Sequence, residues 1–410
     1  MIYWKYMKTL IAADLHWPTI NGVATFSRNL ANGLAARGHE VIVIAPSQRR
    51  TGLAEEEWDG EYLVKRTISV PFPFYQNFRI SLTPRREVKR IIEEFEPDVI
   101  HIQMLLGIGQ ATMRYAKLYN IPVVTTNHAI PENLMDNIRL LAPVSGPINR
   151  LITEYGARFH AKADHVTMPT QAAIDMLTHG RDDLPAIPIE AVSNGINLGR
   201  FTPTKPPHAI YEQFSIPTDK LIVSYIGRLD SEKHIAVLIN AFYQVQQTIA
   251  KPVHLLIVGF GTDSERLENQ VYQLGIHDSV TFTGRVSDDE IVELHKVGDV
   301  FCMPSPAELQ CIAALEAMAS GKPVVAVDAG AVGELCQTER NGFLCEKDDV
   351  EQIANALTTL LLDAKMRARF GKESLAIAKT HDITYTLDRF EAIYTELIGS
   401  KTRQSPQRLL

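Results

Sequence analysis

"KTLIAADLHWPTINGVATFSRNLANGLAARGHEVIVIAP", residues 8 to 46, decides the fold class. "KTLIAAD", residues 8 to 14, is a short apolar run. Gly22 to Arg37 then repeats apolar side chains at helical spacing and is closed by Gly38, and "HEVIVIAP" is a second apolar run. Further runs of the same kind are "PDVIHIQ" from Pro97 and "IPVVTTNH" from Ile121. Short buried strands alternating with amphipathic helices predict a parallel sheet wrapped by helices.

A second series begins after "IEAVSNGIN", residues 189 to 197. Its strands are "LIVSYIGRL", "VHLLIVGFG", "SVTFTGRV", "DVFCMPS" and "PVVAVDAG", with helices expected near 234 to 249, 263 to 274, 288 to 297 and 308 to 320. The segment "NLGRFTPTKPPHAIYEQF" is rich in Pro and polar residues, which places the interdomain linker near residues 194 to 205. The chain therefore reads as α/β, two Rossmann-like doubly wound parallel-sheet domains facing a cleft at their strand ends. The boundaries expected are 1–193, 194–375, and a final helix and tail over 376–410.

At 410 residues, 45% hydrophobic and 22% charged, the composition is that of a globular chain of more than one domain. A net charge of -7 argues against a dedicated nucleic-acid binder, which carries a basic excess. No run approaches a membrane span and the start lacks a signal-peptide core, so a cytoplasmic protein is expected. Cys302, Cys311, Cys336 and Cys345 form no Cys-x-x-Cys pair and read as buried free thiols.

"PSPAELQCIAALEAMASGKPVVA", residues 304 to 326, keeps two carboxylates, Glu308 and Glu316, in a stretch otherwise almost free of charge. A carboxylate near a core needs a partner or a task. Read as one helix, eight residues rise about 12 Å, so the pair grips two ends of a long ligand rather than one atom. Glu308 at the helix entrance would also stand beside free backbone amides that favour phosphate.

Other residues fit a phosphate-bearing ligand. "IGRLDSEKH" puts Arg228 and Lys233 in a loop leaving a strand, where two cations neutralise a diphosphate; a solvated loop is the plain alternative, given Asp230 and Glu232. "VGFGTDSE" puts Gly259 and Gly261 in a turn between strand and helix, but Ser264 stands where the dinucleotide fingerprint has its third glycine. That failure argues against a nicotinamide enzyme. No Gly-Lys-Ser/Thr loop marks an ordinary NTPase, and no Asp-x-Asp offers a seat for Mg²⁺, so no metal is expected. Asn127 and His128 end the strand "VVTTNH", and Asn21 and Gly22 open the first helix, where an anion is favoured or a simple turn is made.

Together these pieces resemble a glycosyltransferase of the GT-B fold, in the large retaining family numbered four. "PTINGVATFSRNLANGLAARGHEV", "SNGIN", "IGRLDSEK", "VGFGTDSERLE", "FTGRVSDDEIVELHKVGDVFCMPS" and "ELQCIAALEAMASGKPVVA" carry the resemblance over nearly the whole chain. It implies a nucleotide-diphosphate sugar, UDP- or GDP-linked, as donor. It implies that Glu316 bonds the ribose hydroxyls, Glu308 the sugar ring, Arg228 and Lys233 the diphosphate, and Val286 the base through its backbone. His128 would approach the transferred sugar and Gly22 would lie beside the phosphates, with Gly259, Gln310, Cys311 and Ile312 completing the donor contacts. Where many members have Glu-x-Phe-Gly, this chain has Glu308, Leu309, Gln310, Cys311; the Gln resembles the lipid-glycosylating branch, while a Cys side chain in place of glycine would crowd the sugar.

The amino-terminal domain is expected to choose the acceptor. "LTPRREVKRIIEEFEP" sets Arg85, Arg86, Lys89 and Arg90 early in a helix and its glutamates late, against the helix dipole; an anionic membrane surface would favour that order, a solvated face being the plain reading. "VPFPFYQNFRIS" gathers Phe72, Phe74, Tyr75 and Phe78, which line a greasy groove or a core. The expected function is hexose transfer to an acceptor hydroxyl, of a membrane lipid such as diacylglycerol or of a soluble sugar or cell-surface glycan precursor, at the inner face of the membrane. A nucleotide-sugar epimerase is the competing enzyme of the same fold.

Overall fold

The computed structural model describes residues 6–19, 21–49, 51–72, 78–128, 145–178 and 188–404. The chain forms two units, one of Met1–Asn194 with Thr384–Leu410 and one of Gly195–Ile383.

In the first unit, strands β1 (Lys8–Ala12), β2 (Glu40–Pro46), β3 (Glu55–Asp59) and β4 (Tyr62–Thr67) precede a small antiparallel pair, β5 (Ser69–Pro71) and β6 (Arg79–Ser81). Strands β7 (Val99–Ile102), β8 (Val123–Thr126), β9 (His165–Met168) and β10 (Ile189–Ala191) follow. The sheet order is β10-β9-β8-β7-β1-β2-β4-β3, parallel except for the edge pair β3 and β4. Central strands such as β2 are buried along almost their whole length, the pattern of a parallel sheet covered on both faces. Leu10, Ile44, Ile91, Ile100, Ile108 and Phe159 are among the side chains that fill one face.

The second unit carries β11 (Leu221–Ile226), β12 (Val253–Val258), β13 (Val280–Phe282), β14 (Val300–Met303), β15 (Val324–Val327) and β16 (Gly342–Cys345). All are parallel, in the order β13-β12-β11-β14-β15-β16. This is the doubly wound order, and it reverses between β11 and β14, the point at which folds of this kind bind their ligands beyond the strand ends. Both units are therefore Rossmann-like, as expected. The four cysteines are buried and free.

Helix termini follow local chemistry. Asn21 accepts a hydrogen bond from the Ala24 amide at 2.8 Å and caps the helix Gly22–Ala36. Ser287 and Glu290 form a reciprocal capping box that starts the helix Asp288–Val297. The last helix, Ile383–Gln404, docks on the first unit: Tyr394 meets His101 at 2.6 Å, and buried Glu391 joins Arg37 at 2.5 Å and His39 at 2.7 Å. Gly33 lies under Leu387 so closely that an added Cβ would stand 2.5 Å from its Cδ1.

The single helix expected over 308 to 320 is corrected. Only Ile312–Ala319 is helical, with Cys311 as its amino-terminal boundary, so Glu308 lies in the irregular segment ahead of it. The Glu308 carbonyl accepts from the Ala331 amide at 2.9 Å. That bond to a distant loop takes the acceptor a helical turn would use, and it overrides the local preference of Glu, Leu and Gln for helix. The 12 Å helical span between the glutamates and the free amides expected beside Glu308 fall with it.

Candidate active site

In the second unit, the loops leaving β11, β12 and β14 converge at the point where the strand order reverses. Gly227 and Gly259 let the first two loops approach: a Cβ on Gly259 would stand 1.9 Å from the Gly227 carbonyl oxygen, and one on Gly261 would stand 2.2 Å from the Leu229 carbonyl carbon. These glycines are required by backbone packed on backbone.

Arg228 and Lys233 are brought together with Glu308, although the glutamate is 75 residues from the lysine. Lys233 Nζ donates to Glu308 Oε1 at 2.7 Å, and Arg228 is held by Asp230 and Glu232, the latter at 2.5 Å. Asp230 also accepts from the amide and hydroxyl of Thr262, each at 2.9 Å, which ties the β11 loop to the β12 loop. Asp230 and Glu232 are buried. The plain reading of this loop as solvated is therefore replaced by a largely enclosed ionic network in which Arg228, Lys233 and Glu308 are half-buried around two buried carboxylates. Burial works against the charge of Lys233, but Glu308 and Glu232 outweigh it and raise its pKa. A diphosphate reaching these loops competes with internal carboxylates for cations already held in place.

Glu316 projects from the helix Ile312–Ala319, and its Oε2 meets His295 Nε2 at 2.9 Å. Val286, in the loop before the capping box, packs on the core, and the neighbouring Arg285 guanidinium lies 4.5 Å from the Phe260 ring centroid. Gln310 is buried and Ile312 half-buried. Cys311 has φ -77°, a conformation open to any residue, and its side chain is part of the hydrophobic core. The thiol is buried beside Glu308, Lys233 and Glu316, so its bulk stands at the candidate site, where it was expected to crowd the sugar or narrow its choice. Burial pushes the thiol pKa well up, so it stays protonated and inert.

In the first unit, the ends of β7 and β8 meet through side chains. His128 Nε2 lies 2.8 Å from Gln103 Oε1. An amide oxygen only accepts, so the imidazole carries its proton on Nε2 and leaves Nδ1 as an acceptor. Burial pushes the His128 pKa down to about 3, so the ring is neutral at physiological pH. It offers hydrogen bonds there rather than a charge. Beneath it, Phe26 packs at 4.9 Å between ring centroids, and His101 bridges Tyr394 and Thr126. Buried Asp14 accepts from the amides of Ile108 and Gly109, so it closes the start of the helix Gly107–Leu118. Gly22 is exposed as the first residue of its helix.

Among the acceptor candidates, Phe72 packs edge to face on Phe78 at 5.6 Å, while Phe74 and Tyr75 lie outside the described residues. Arg85, Arg86, Lys89 and Arg90 are exposed on the helix Pro84–Phe95. Lys89 pairs with Glu93 at 3.5 Å and Arg90 with Glu94 at 3.8 Å, one turn along, which accounts for part of the unusual charge order. Sequence reasoning missed His295, Gln103 and the Phe260–Arg285 pair. Each acquires its meaning from a partner on another element, and although Phe260, Arg285 and His295 lie inside quoted motifs, their spacing does not name those partners.

Two family profiles cover most of the chain: Glycosyltransferase Family 4 matches residues 20–200, and glycosyl transferases group 1 matches residues 208–375. The GDP-mannose-dependent alpha-mannosyltransferase of Mycolicibacterium smegmatis is 25% identical over 396 residues, 97% of this chain and 99% of that protein. The alpha-monoglucosyldiacylglycerol synthase of Streptococcus pneumoniae is 28% identical over 329 residues, 78% of this chain and 71% of that protein. Among solved structures, the sucrose-phosphate synthase of Thermosynechococcus elongatus aligns with a TM-score of 0.78 at 21% identity, over 96% of this chain and all of that one. Anabaena HepE in complex with UDP and glucose aligns with a TM-score of 0.71 at 20% identity, over 95% of this chain and all of that one.

Proposed function

The chain belongs to the family 4 glycosyltransferases of the GT-B fold and so uses a nucleotide-sugar donor, and from that premise we propose a retaining hexosyltransferase whose acceptor is a hydroxyl of a membrane lipid. The observation that carries the donor half is the convergence of Arg228, Lys233 and Glu308 where the strand order of the second unit reverses. In this reading Arg228 and Lys233 stabilise the charge on the departing diphosphate, so no metal is needed. Glu308 bonds hydroxyls of the sugar, Glu316 the ribose, and the backbone at Val286 the base. Gly259 keeps the phosphate loop close, and Gln310, Cys311 and Ile312 line the donor through backbone or buried contacts. The family resemblance further assigns His128 to the transferred sugar and Gly22 to the phosphates.

In the reaction, the bond from the anomeric carbon to the phosphate oxygen breaks as the acceptor oxygen bonds that carbon from the same face. The acceptor's proton passes to the leaving phosphate. No histidine charge is called for, which suits a neutral His128.

The lipid half rests on the first unit's surface and on relatives named for lipid products, such as the pneumococcal synthase. Val70 and Ile80 face one another across the β5–β6 pair with 40% and 38% exposure, and Leu82 beyond them is 55% exposed. Arg85 and Arg86 follow, both exposed. Apolar side chains beside cations suit an anionic membrane, each basic residue adding about 1 kcal/mol near such a surface. No helix among the described residues is long and apolar enough to cross a membrane, so the proposed contact is superficial.

The experiment is a screen of radiolabelled UDP- and GDP-hexoses, with and without anionic vesicles containing diacylglycerol, followed by phase separation of products. Label in the organic phase is expected. Label confined to water-soluble glycan would move the acceptor to a sugar, and an isomerised nucleotide sugar without transfer would make the protein an epimerase.

A further inference from the structure

His295 is a buried imidazole with a carboxylate on one side and nothing on the other. Its side chain has 0% exposure and its Nε2 lies 2.9 Å from Glu316 Oε2. Its Nδ1 is buried without a hydrogen-bond partner among the described residues. A carboxylate only accepts, so Nε2 carries a proton and donates to Glu316. The ring is also clamped, edge to face by Phe201 at 5.5 Å and tilted against Phe301 at 6.1 Å. The capping box at Ser287 and Glu290 anchors the helix that presents it.

Glu316 is the other half of the arrangement. Its side chain retains 17% exposure, so the carboxylate has one edge fixed inside the protein and another turned outward. A free glutamate has three rotatable bonds, and holding it still costs conformational entropy on binding. An internal donor on one oxygen removes that cost in advance and aims the second oxygen at a fixed place.

We propose that His295 is the positioning residue for the nucleotide ribose: it orients Glu316 so that the carboxylate accepts from the vicinal hydroxyls of a ribonucleoside diphosphate and discriminates against the deoxy sugar. The inference rests on the reading of Glu316 as the ribose ligand. His295 itself touches no substrate. Its effect is on selectivity between two nucleotides that differ by one hydroxyl.

The test is calorimetric binding of UDP and GDP against their 2′-deoxy and 3′-deoxy counterparts, using the full chain. A hydrogen bond to a charged group corresponds to a preference of roughly 10- to 100-fold for the ribonucleotide in the wild type. Glu316→Ala is expected to abolish that preference. His295→Leu is expected to bring it within about threefold, with the ribonucleotide losing more affinity than either deoxynucleotide, and His295→Gln, which restores a donor, is expected to recover part of it. A merely structural histidine would lower the melting temperature and leave the ratio alone. Loss of selectivity in Glu316→Ala with wild-type selectivity in both His295 variants overturns the inference alone; wild-type selectivity in Glu316→Ala overturns the ribose reading beneath it. Should His295→Leu fail to fold, the Gln variant decides: it must keep at least part of the preference and lose part of it.

Discussion

At the scale of single residues, the candidate chemistry lies in charges that are paired before any substrate arrives. Half-buried Lys233 is held by Glu308, which fixes the direction of its ammonium. Lys233→Ala is expected to reduce turnover by about 100- to 1,000-fold, the magnitude seen when one preorganised donor to a developing oxyanion is lost. Steady-state rates with a labelled donor check this, and a rate within threefold of wild type refutes it. Glu308→Gln separates two roles. On the proposed reading it weakens the sugar contact, so turnover is expected to fall by at least about 100-fold; it also frees Lys233 from its carboxylate, so affinity for the nucleoside diphosphate is expected to be unchanged or to rise. Weaker diphosphate binding in that variant would show that Glu308 holds Lys233 in position rather than competing with phosphate.

At the scale of elements, the loops after β11 and β12 act as one piece. Gly259 has φ 133°, a region that side chains rarely adopt, and sits against the Gly227 carbonyl. The Gly259→Ala change combines backbone strain with a clash, so a loss of at least about 2 kcal/mol of stability is expected, with weakened diphosphate binding. Thermal melting and nucleotide titration of the same sample measure both, and a variant with wild-type melting would mean that the loops are not so closely packed. Element boundaries also show where local reading fails. The strand–helix pattern over residues 8 to 46 was legible because apolar period and capping residues agree: Asn21 caps, Gly38 ends the helix with φ 87°, and "VIVIAP" is buried throughout. The β3 strand "EEEWD" gave no such signal, since it is an edge strand, largely exposed and acidic. Glu308 was read into a helix because nothing near it in sequence reveals its bond to Ala331.

At the scale of the whole molecule, the two units differ in their response to acid. In the first unit, burial pushes His16 and His128 down to about 3, His160 to about 4, and His101 well below its usual value. Unfolding exposes these rings to water, where they take protons near pH 6.5, so their stabilising contribution is present above pH 6.5 and is lost as pH falls toward the folded values. Buried Asp14, pushed up to about 6, works in the opposite sense, contributing stability at low pH that is lost as pH rises through 6. Glu87, raised by burial, acts in the same sense, and His165, lowered by burial, joins the other histidines, so two groups offset five. In the second unit only His254, at about 4, and His381 are shifted down. The first unit is therefore expected to unfold first as pH falls from 6.5 toward 4. Trp17 and Trp58 lie in it and the sequence holds no tryptophan beyond residue 58, so tryptophan emission does not report residues 195–383. A red shift of tryptophan emission preceding loss of hydrogen-exchange protection in residues 195–383 is the expected order; simultaneous loss would count against it.

The sequence by itself determined the two doubly wound sheets, their succession along the chain, the family, and the loops where the candidate site residues fall. Those properties follow from hydrophobic period, turn residues and motif spacing, all of which are local. Only the tertiary structure decided which partner each of those residues has. Lys233 meets Glu308, Glu316 meets His295, His128 meets Gln103 and Cys311 turns into the core, because hydrogen bonds and burial join elements far apart in sequence. The spacing of residues along one chain carries no record of such meetings, since the packing of helices and strands brings them about.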